Sequence, residues 1–154
     1  MVLEQFSFEM QTLLDRYVAG RISFEQMYDI YKRIGTEGFR LEYYKPLFEL
    51  ARENPEAVKL HGGFLPKTYA GRMMREGEKP VMAQLVGKNY IPVLDDFGDS
   101  DIHYNIFESM MTDRDPYDES QKPNEKYRRL FKAQLIKDKS MAHKVNQLLL
   151  KHPE

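Results

Sequence analysis

The chain has 154 residues, 42% hydrophobic and 31% charged, with 23 basic and 24 acidic side chains, no cysteine and a mean hydropathy of −0.64. That length holds one hydrophobic core and excludes a multidomain enzyme, and its short apolar runs exclude a transmembrane helix, which needs about 20 apolar residues. The missing cysteines remove disulfides, thiolate metal sites, iron–sulfur clusters and a Cys nucleophile together.

The opening residues, Met1 to Phe6, lack the charged start, apolar stretch and small-residue cleavage site of a secretory signal, so a cytoplasmic protein is expected. Leu3, Phe6, Met10, Leu13, Leu14 and Tyr17 recur every three or four residues and predict a helix over 2–19, with Gly20 as its left-handed stop. Ser23 and Gln26 form a capping-box pair and Ile22 can staple onto Met27, which starts a second helix running to Ile34 with Phe24, Met27, Tyr31 and Ile34 inward. Residues 2–34 therefore read as a helical hairpin.

The middle, 36–111, is mixed. Phe39 to Tyr43 alternate like a strand, but Pro46 favours a helix start nearby, either separate or as part of one kinked helix over 37–53. Asn54-Pro55-Glu56 reads as the cap of a short helix that His61-Gly62-Gly63 ends, and 67–75 as another short helix. Residues 81–94 admit a small β-hairpin or a helix, with Pro92 confining any strand to an edge. Ser100 can cap a helix carrying Ile102, Ile106, Phe107 and Met110; 112–124 reads as a polar linker; and 125–151 as basic helices that 137–140 can break in two. The fold class expected is mainly α: a single-domain helical bundle with an N-terminal hairpin and an irregular middle.

Charge is segregated. Residues 1–121 hold 14 basic and 21 acidic groups, and 122–151 hold nine basic and two acidic. The densest acidic stretch carries Asp95, Asp96, Asp99, Asp101, Glu108, Asp113, Asp115, Asp118 and Glu119 against Arg114 alone. Such a surface can steer a partner of opposite sign, or pair with the chain's own basic tail. Among the basic residues, Lys126, Arg128, Arg129 and Lys132 can neutralise phosphates, although Tyr127 and Phe131 among them suit core packing better than base stacking.

Enzymatic constellations are lacking. The acidic loop fails the EF-hand register, because Phe97 falls on a ligand position when Asp95 is first. His61-Gly62-Gly63 resembles an esterase oxyanion loop but has no companion Gly-x-Ser-x-Gly, and a helix terminus explains it better. His61, His103, His143 and His152 show no zinc-ligand spacing, and phosphate-binding glycine motifs are missing. No cofactor or metal is implied.

The segment Tyr17-Val18-Ala19-Gly20-Arg21-Ile22-Ser23-Phe24-Glu25-Gln26-Met27, with the amphipathic helix before it, resembles the start of small helical toxin-immunity proteins of the colicin D immunity type, over roughly the first 30 residues. The resemblance implies a compact helical bundle presenting acidic side chains to a basic nuclease toxin. The expectation is thus a non-enzymatic, cytoplasmic protein: an inhibitor, immunity or anti-defence protein docking Asp95 to Glu119 on a basic partner. Two alternatives stay open, a nucleic-acid-associated regulator or assembly factor using the C-terminal helices, and a metal-dependent hydrolase built on the acidic loop.

Overall fold

The computed structural model describes residues 1–34, 38–93, 100–118, 120 and 124–151. The elements run β1 (Val2–Ser7), α1 (Gln11–Val18), α2 (Phe24–Ile34), α3 (Lys45–Glu53), β2 (His61–Phe64), α4 (Lys67–Glu76), α5 (Glu78–Gly87), α6 (Asp101–Thr112) and α7 (Arg128–Lys151), with 3-10 turns before α1, α3 and α7. The fold is mainly α, as expected. Two compact units are formed, one by residues 1–67 with the chain from Ser140 onward, the other by Thr68–Lys139.

In the first unit the hairpin starts later than the periodicity suggests, because Val2–Ser7 is a strand. Leu3 and Phe6 are buried as a helix would require, but β1 is recruited by parallel pairing with β2, in the register Val2 to His61, Leu3 to Gly62 and Ser7 to Phe64. A spacing of three serves an irregular strand as well as a helix here, since the register shifts between Leu3 and Ser7. His61-Gly62-Gly63 is accordingly the start of β2 and not a helix terminus. Its glycines are a packing requirement: a Cβ on Gly62 would lie 2.4 Å from the Ser7 carbonyl oxygen, and one on Gly63 2.2 Å from Val2 Cγ1.

Between α1 and α2 the expected devices are present. Gly20 has φ +70°, the Gln26 N–H donates to Ser23 Oγ at 3.1 Å, and the Ser23 N–H donates to Gln26 Oε1 at 2.9 Å. Phe24, Met27 and Tyr31 are buried, whereas Ile34 is 59% exposed at the end of α2 instead of facing inward. Pro46 lies in the first turn of α3, preceded by the 3-10 turn Leu41–Tyr44, so 39–43 is not a strand. The core is aromatic: Phe6 lies 5.1 Å from Tyr31 and 5.7 Å from Phe48, and Tyr17 packs edge-on against Phe48 at 6.1 Å.

In the second unit residues 78–87 are α5, not a hairpin. Pro80 is accommodated in the first turn, where its missing N–H is no loss, and Val81 and Leu85, one helical turn apart, are both buried. Ser100 caps α6, its Oγ accepting from the His103 N–H at 3.2 Å. Phe131 anchors the core with His103, Tyr104 and Phe107 around it at 4.9, 5.4 and 5.3 Å. α7 is one continuous 24-residue helix, unbroken over 137–140. No helix among the described residues is long and apolar enough to cross a membrane.

Candidate functional site

The first unit carries an open cleft of about 660 Å³ between the start of β2 and the end of α1. Its apolar lining comes from Val18, Ala19, Pro55 and Leu60, and its polar groups from Gln11, Asp15, Lys59 and His61. The cleft is positioned by hydrogen bonds on both sides of His61. Gln11 Nε2 donates to the Leu60 carbonyl at 2.9 Å and Gln11 Oε1 accepts from the Gly62 N–H at 3.0 Å. The His61 N–H donates to the Met1 carbonyl at 2.9 Å. Asp15 is engaged by Gln11 Nε2 at 2.8 Å. The backbone at the half-buried His61 is thereby fixed beside an apolar wall, and Lys59, 3.6 Å from the exposed Glu56 carboxylate, lines the same cleft.

Two other clefts are chemically different. One of about 420 Å³ in the first unit is lined by Glu25, Lys45, Glu49, Arg52 and Glu53 with Tyr17, Ser23 and Phe24. Three of its charges are paired, with Lys45 Nζ 2.9 Å from Glu25 and 3.8 Å from Glu49, and Arg52 lies over the Tyr17 ring. The hydrogen bond from Lys45 holds the Glu25 carboxyl at about 2. The other, about 310 Å³ in the second unit, includes Arg75, Glu76, Glu78, Arg129 and Lys132, with Lys132 paired to Glu78 at 2.8 Å.

Of the described carboxylates expected to dock a partner, Asp101, Glu108, Asp115 and Asp118 are engaged in local structure. Asp95, Asp96, Asp99 and Glu119 lie outside the described residues. Asp101 pairs with Arg128 at 3.1 Å, so acidic segment and basic helix do meet within the second unit. Glu108 is buried against Arg114 at 2.7 Å and accepts from Thr112 Oγ1 at 3.2 Å. Burial pushes the Glu108 carboxyl up, but the Arg114 guanidinium outweighs it and leaves the pKa lowered. Asp113 adopts the left-handed conformation that ends α6. Asp115 and Asp118 accept the N–H groups of Tyr117 and Ser120, each at 2.9 Å, as local turn caps. Of the basic set, Lys126 lies over its neighbour Tyr127, Arg128 over the Tyr104 ring at 3.9 Å, and Arg129 is exposed. Phe131 is 1% exposed and belongs to the core. Among the described residues no group of three or more His, Asp or Glu side chains is placed to hold a metal ion.

A sequence model of the family described as "Haem-binding uptake, Tiki superfamily, ChaN" matches residues 1–154. The chain belongs to that family. No curated protein and no solved structure matches the chain. The family assignment overturns the resemblance to colicin-type immunity proteins and, with it, the inhibitor reading. The nucleic-acid regulator and the metal-dependent hydrolase do not agree with it either. The resemblance rested on a capped helical hairpin, a local device common to unrelated folds.

Haem needs an apolar surface for its macrocycle, a side chain for its iron and cations for its propionates. The donor set of the 660 Å³ cleft fits: four apolar residues, one imidazole and one ammonium, beside the Gln11 amide and an Asp15 carboxylate that Gln11 engages. The 420 Å³ cleft, walled by charges of which Lys45 pairs with Glu25 and Glu49, does not. In the sequence His61 stands as a helix end, an oxyanion-loop residue or a histidine without zinc-ligand spacing, and Gln11 and Lys59 carry no signal. The usable signal was the Gly pair directly after a histidine, which marks backbone held close to another strand.

Proposed function

We propose that this chain binds haem, in the course of haem uptake, in the cleft at the end of α1 and the start of β2. His61 offers its imidazole to the iron, Lys59 its ammonium to a propionate, and Val18, Ala19, Pro55 and Leu60 their apolar surface to the ring. Bound haem would supply a redox-active iron. The chain's own part is to bind and orient, with Gln11 fixing the backbone on either side of the imidazole. The observation that carries the reading is the family assignment over the whole chain together with a half-buried histidine, its backbone fixed, in an apolar cleft. A cytoplasmic setting belongs to the same proposal and is supported by the cysteine-free composition.

The test is titration of the purified protein with haemin, followed by the Soret band. Mutating partners outside the ligand shell already weakens metal sites by about 10- to 100-fold. His61→Ala should therefore weaken haem binding by about tenfold or more and shift the band, with the far-ultraviolet circular dichroism unchanged. Lys59→Ala should weaken binding without moving the band. A His61→Ala protein with the wild-type spectrum and affinity would place the site elsewhere, and no saturable binding by the wild type would overturn the function itself.

A further inference from the structure

Among the described helices that leave apolar side chains exposed, α6 and α7 carry stripes of opposite charge. On α6, Ile102, Ile106 and Met110 follow one another at every turn and are 74%, 39% and 71% exposed. Residues 100–113 around them hold Asp101 and Asp113 at the surface, Glu108 being buried against Arg114, and no Lys or Arg. On the last turns of α7, Val145 and Leu149 repeat the same one-turn spacing at 38% and 65% exposure, with Leu150 at 73%. Residues 139–151 hold Lys139, Lys144 and Lys151 and no carboxylate.

We propose that the α6 stripe is the docking site for the end of α7 of a second copy of this chain. Pairing α6 with α6 would bring acidic helices together, and α7 with α7 basic ones. Between these two stripes, the α6–α7 combination is the one that matches apolar repeat to apolar repeat and acidic rim to basic rim. Asp101 stays 88% exposed beside Arg128 and Lys151 is exposed, so both rims keep charge available. The polarisable Met110 adds a side chain that adapts to an incoming helix. Such a contact joins two different patches, so it is heterologous unless two copies exchange it reciprocally. The inference is independent of the haem reading.

The test is sedimentation equilibrium of the full chain over a wide concentration range, at low and high salt. Concentration-dependent self-association that weakens with salt is expected. Met110→Lys on α6 and Leu149→Glu on α7 each put a repelling charge on an exposed position. Each alone should weaken self-association by about tenfold or more. Mixed in equal amounts, the two variants should associate again, because each supplies the intact half the other lacks. Ile102→Lys provides a second α6 variant, and circular dichroism confirms the fold of all three. A wild type that stays monomeric at every concentration, variants that associate as the wild type does, or single variants not restored by mixing would each overturn the proposal.

Discussion

The side-chain oxygen of Gln11 accepts the backbone N–H of Gly62 at 3.0 Å across 51 positions of sequence, while the amide nitrogen of the same side chain donates to the carbonyl of Leu60. One residue of α1 thus does for the entry of β2 what a third strand would do, supplying a donor and an acceptor to backbone groups flanking His61. Replacing Gln11 by Ala strands two partly buried backbone groups, each costing about 1–3 kcal/mol if left unsatisfied, though water at the open cleft recovers part of this. Gln11→Ala is expected to lower the urea unfolding free energy by about 1–3 kcal/mol. Gln11→Glu should lose part of the same stability, because a carboxylate can accept from the Gly62 N–H but cannot donate to the Leu60 carbonyl. An alanine variant as stable as the wild type would show that pairing with β1 alone holds His61.

Gly62 and Gly63 are both in tight contact, but with different obstacles. A methyl on Gly62 meets the backbone oxygen of Ser7 at 2.4 Å, and backbone in a paired strand cannot withdraw without loosening the pairing. A methyl on Gly63 first meets the Val2 side chain at 2.2 Å, which has rotamers to exchange, with the Leu3 oxygen at 3.3 Å. Gly62→Ala should therefore destabilise by about 3 kcal/mol or more and Gly63→Ala by less, within the range of severe steric substitutions. Thermal unfolding of the two variants gives the order, and equal losses would mean that the strands shift together as one body.

Much of the local structure was legible before the tertiary structure because it is local chemistry. Ser23 and Gln26 cap α2, Ser100 caps α6 and Pro46 opens α3 as read from the chain. What stayed illegible depends on partners distant in sequence. The residues Val2 to Ser7 become a strand only because β2 lies beside them, more than fifty residues on, and Leu3 and Phe6 at a spacing of three give no warning. The helix α5 stayed ambiguous because the apolar residues after Pro80 suit a strand as well as a helix, and a proline tolerated in a first helical turn does not decide between them. The cleft was hidden for the same reason as β1: Gln11, Lys59 and His61 are brought together by strand pairing and not by a motif. The charge segregation was plain in the sequence, but not that Asp101 and Glu108 would be taken up by Arg128 and Arg114.

Lys45 joins α3 to α2 through Glu25, and the hydrogen bond it donates keeps the Glu25 carboxyl at about 2. A carboxyl whose pKa is lower folded than unfolded contributes stability that is present above the ordinary glutamate value of 4.5 and is lost as the pH falls toward 2. Both partners are surface groups, so the effect on stability is small and salt-sensitive. The direct measurement is the titration of Glu25 by NMR. In Lys45→Met its pKa should return toward 4.5, and a carboxyl still titrating near 2 would mean that the α2 N-terminus, not Lys45, holds it down.

Glu108 and Arg114 make the most buried ion pair described, with side chains 2% and 9% exposed and 2.7 Å apart. Removing one partner of such a pair leaves a charge in a poorly solvated place, at a cost of about 3–5 kcal/mol, whereas replacing both by apolar or neutral groups of similar size is far milder. Arg114→Met should thus destabilise strongly, and the double change Glu108→Gln with Arg114→Met should recover most of that loss, which a double-mutant cycle in urea measures. The pH dependence follows from the lowered Glu108 pKa. Its stabilising contribution is complete above the ordinary carboxylate range and disappears as the pH drops through the depressed folded value. Glu108→Gln should flatten the acid limb of the stability–pH curve accordingly. If Arg114→Met alone were no worse than the double variant, the carboxylate would have found other partners, of which the Thr112 hydroxyl at 3.2 Å is the nearest at hand.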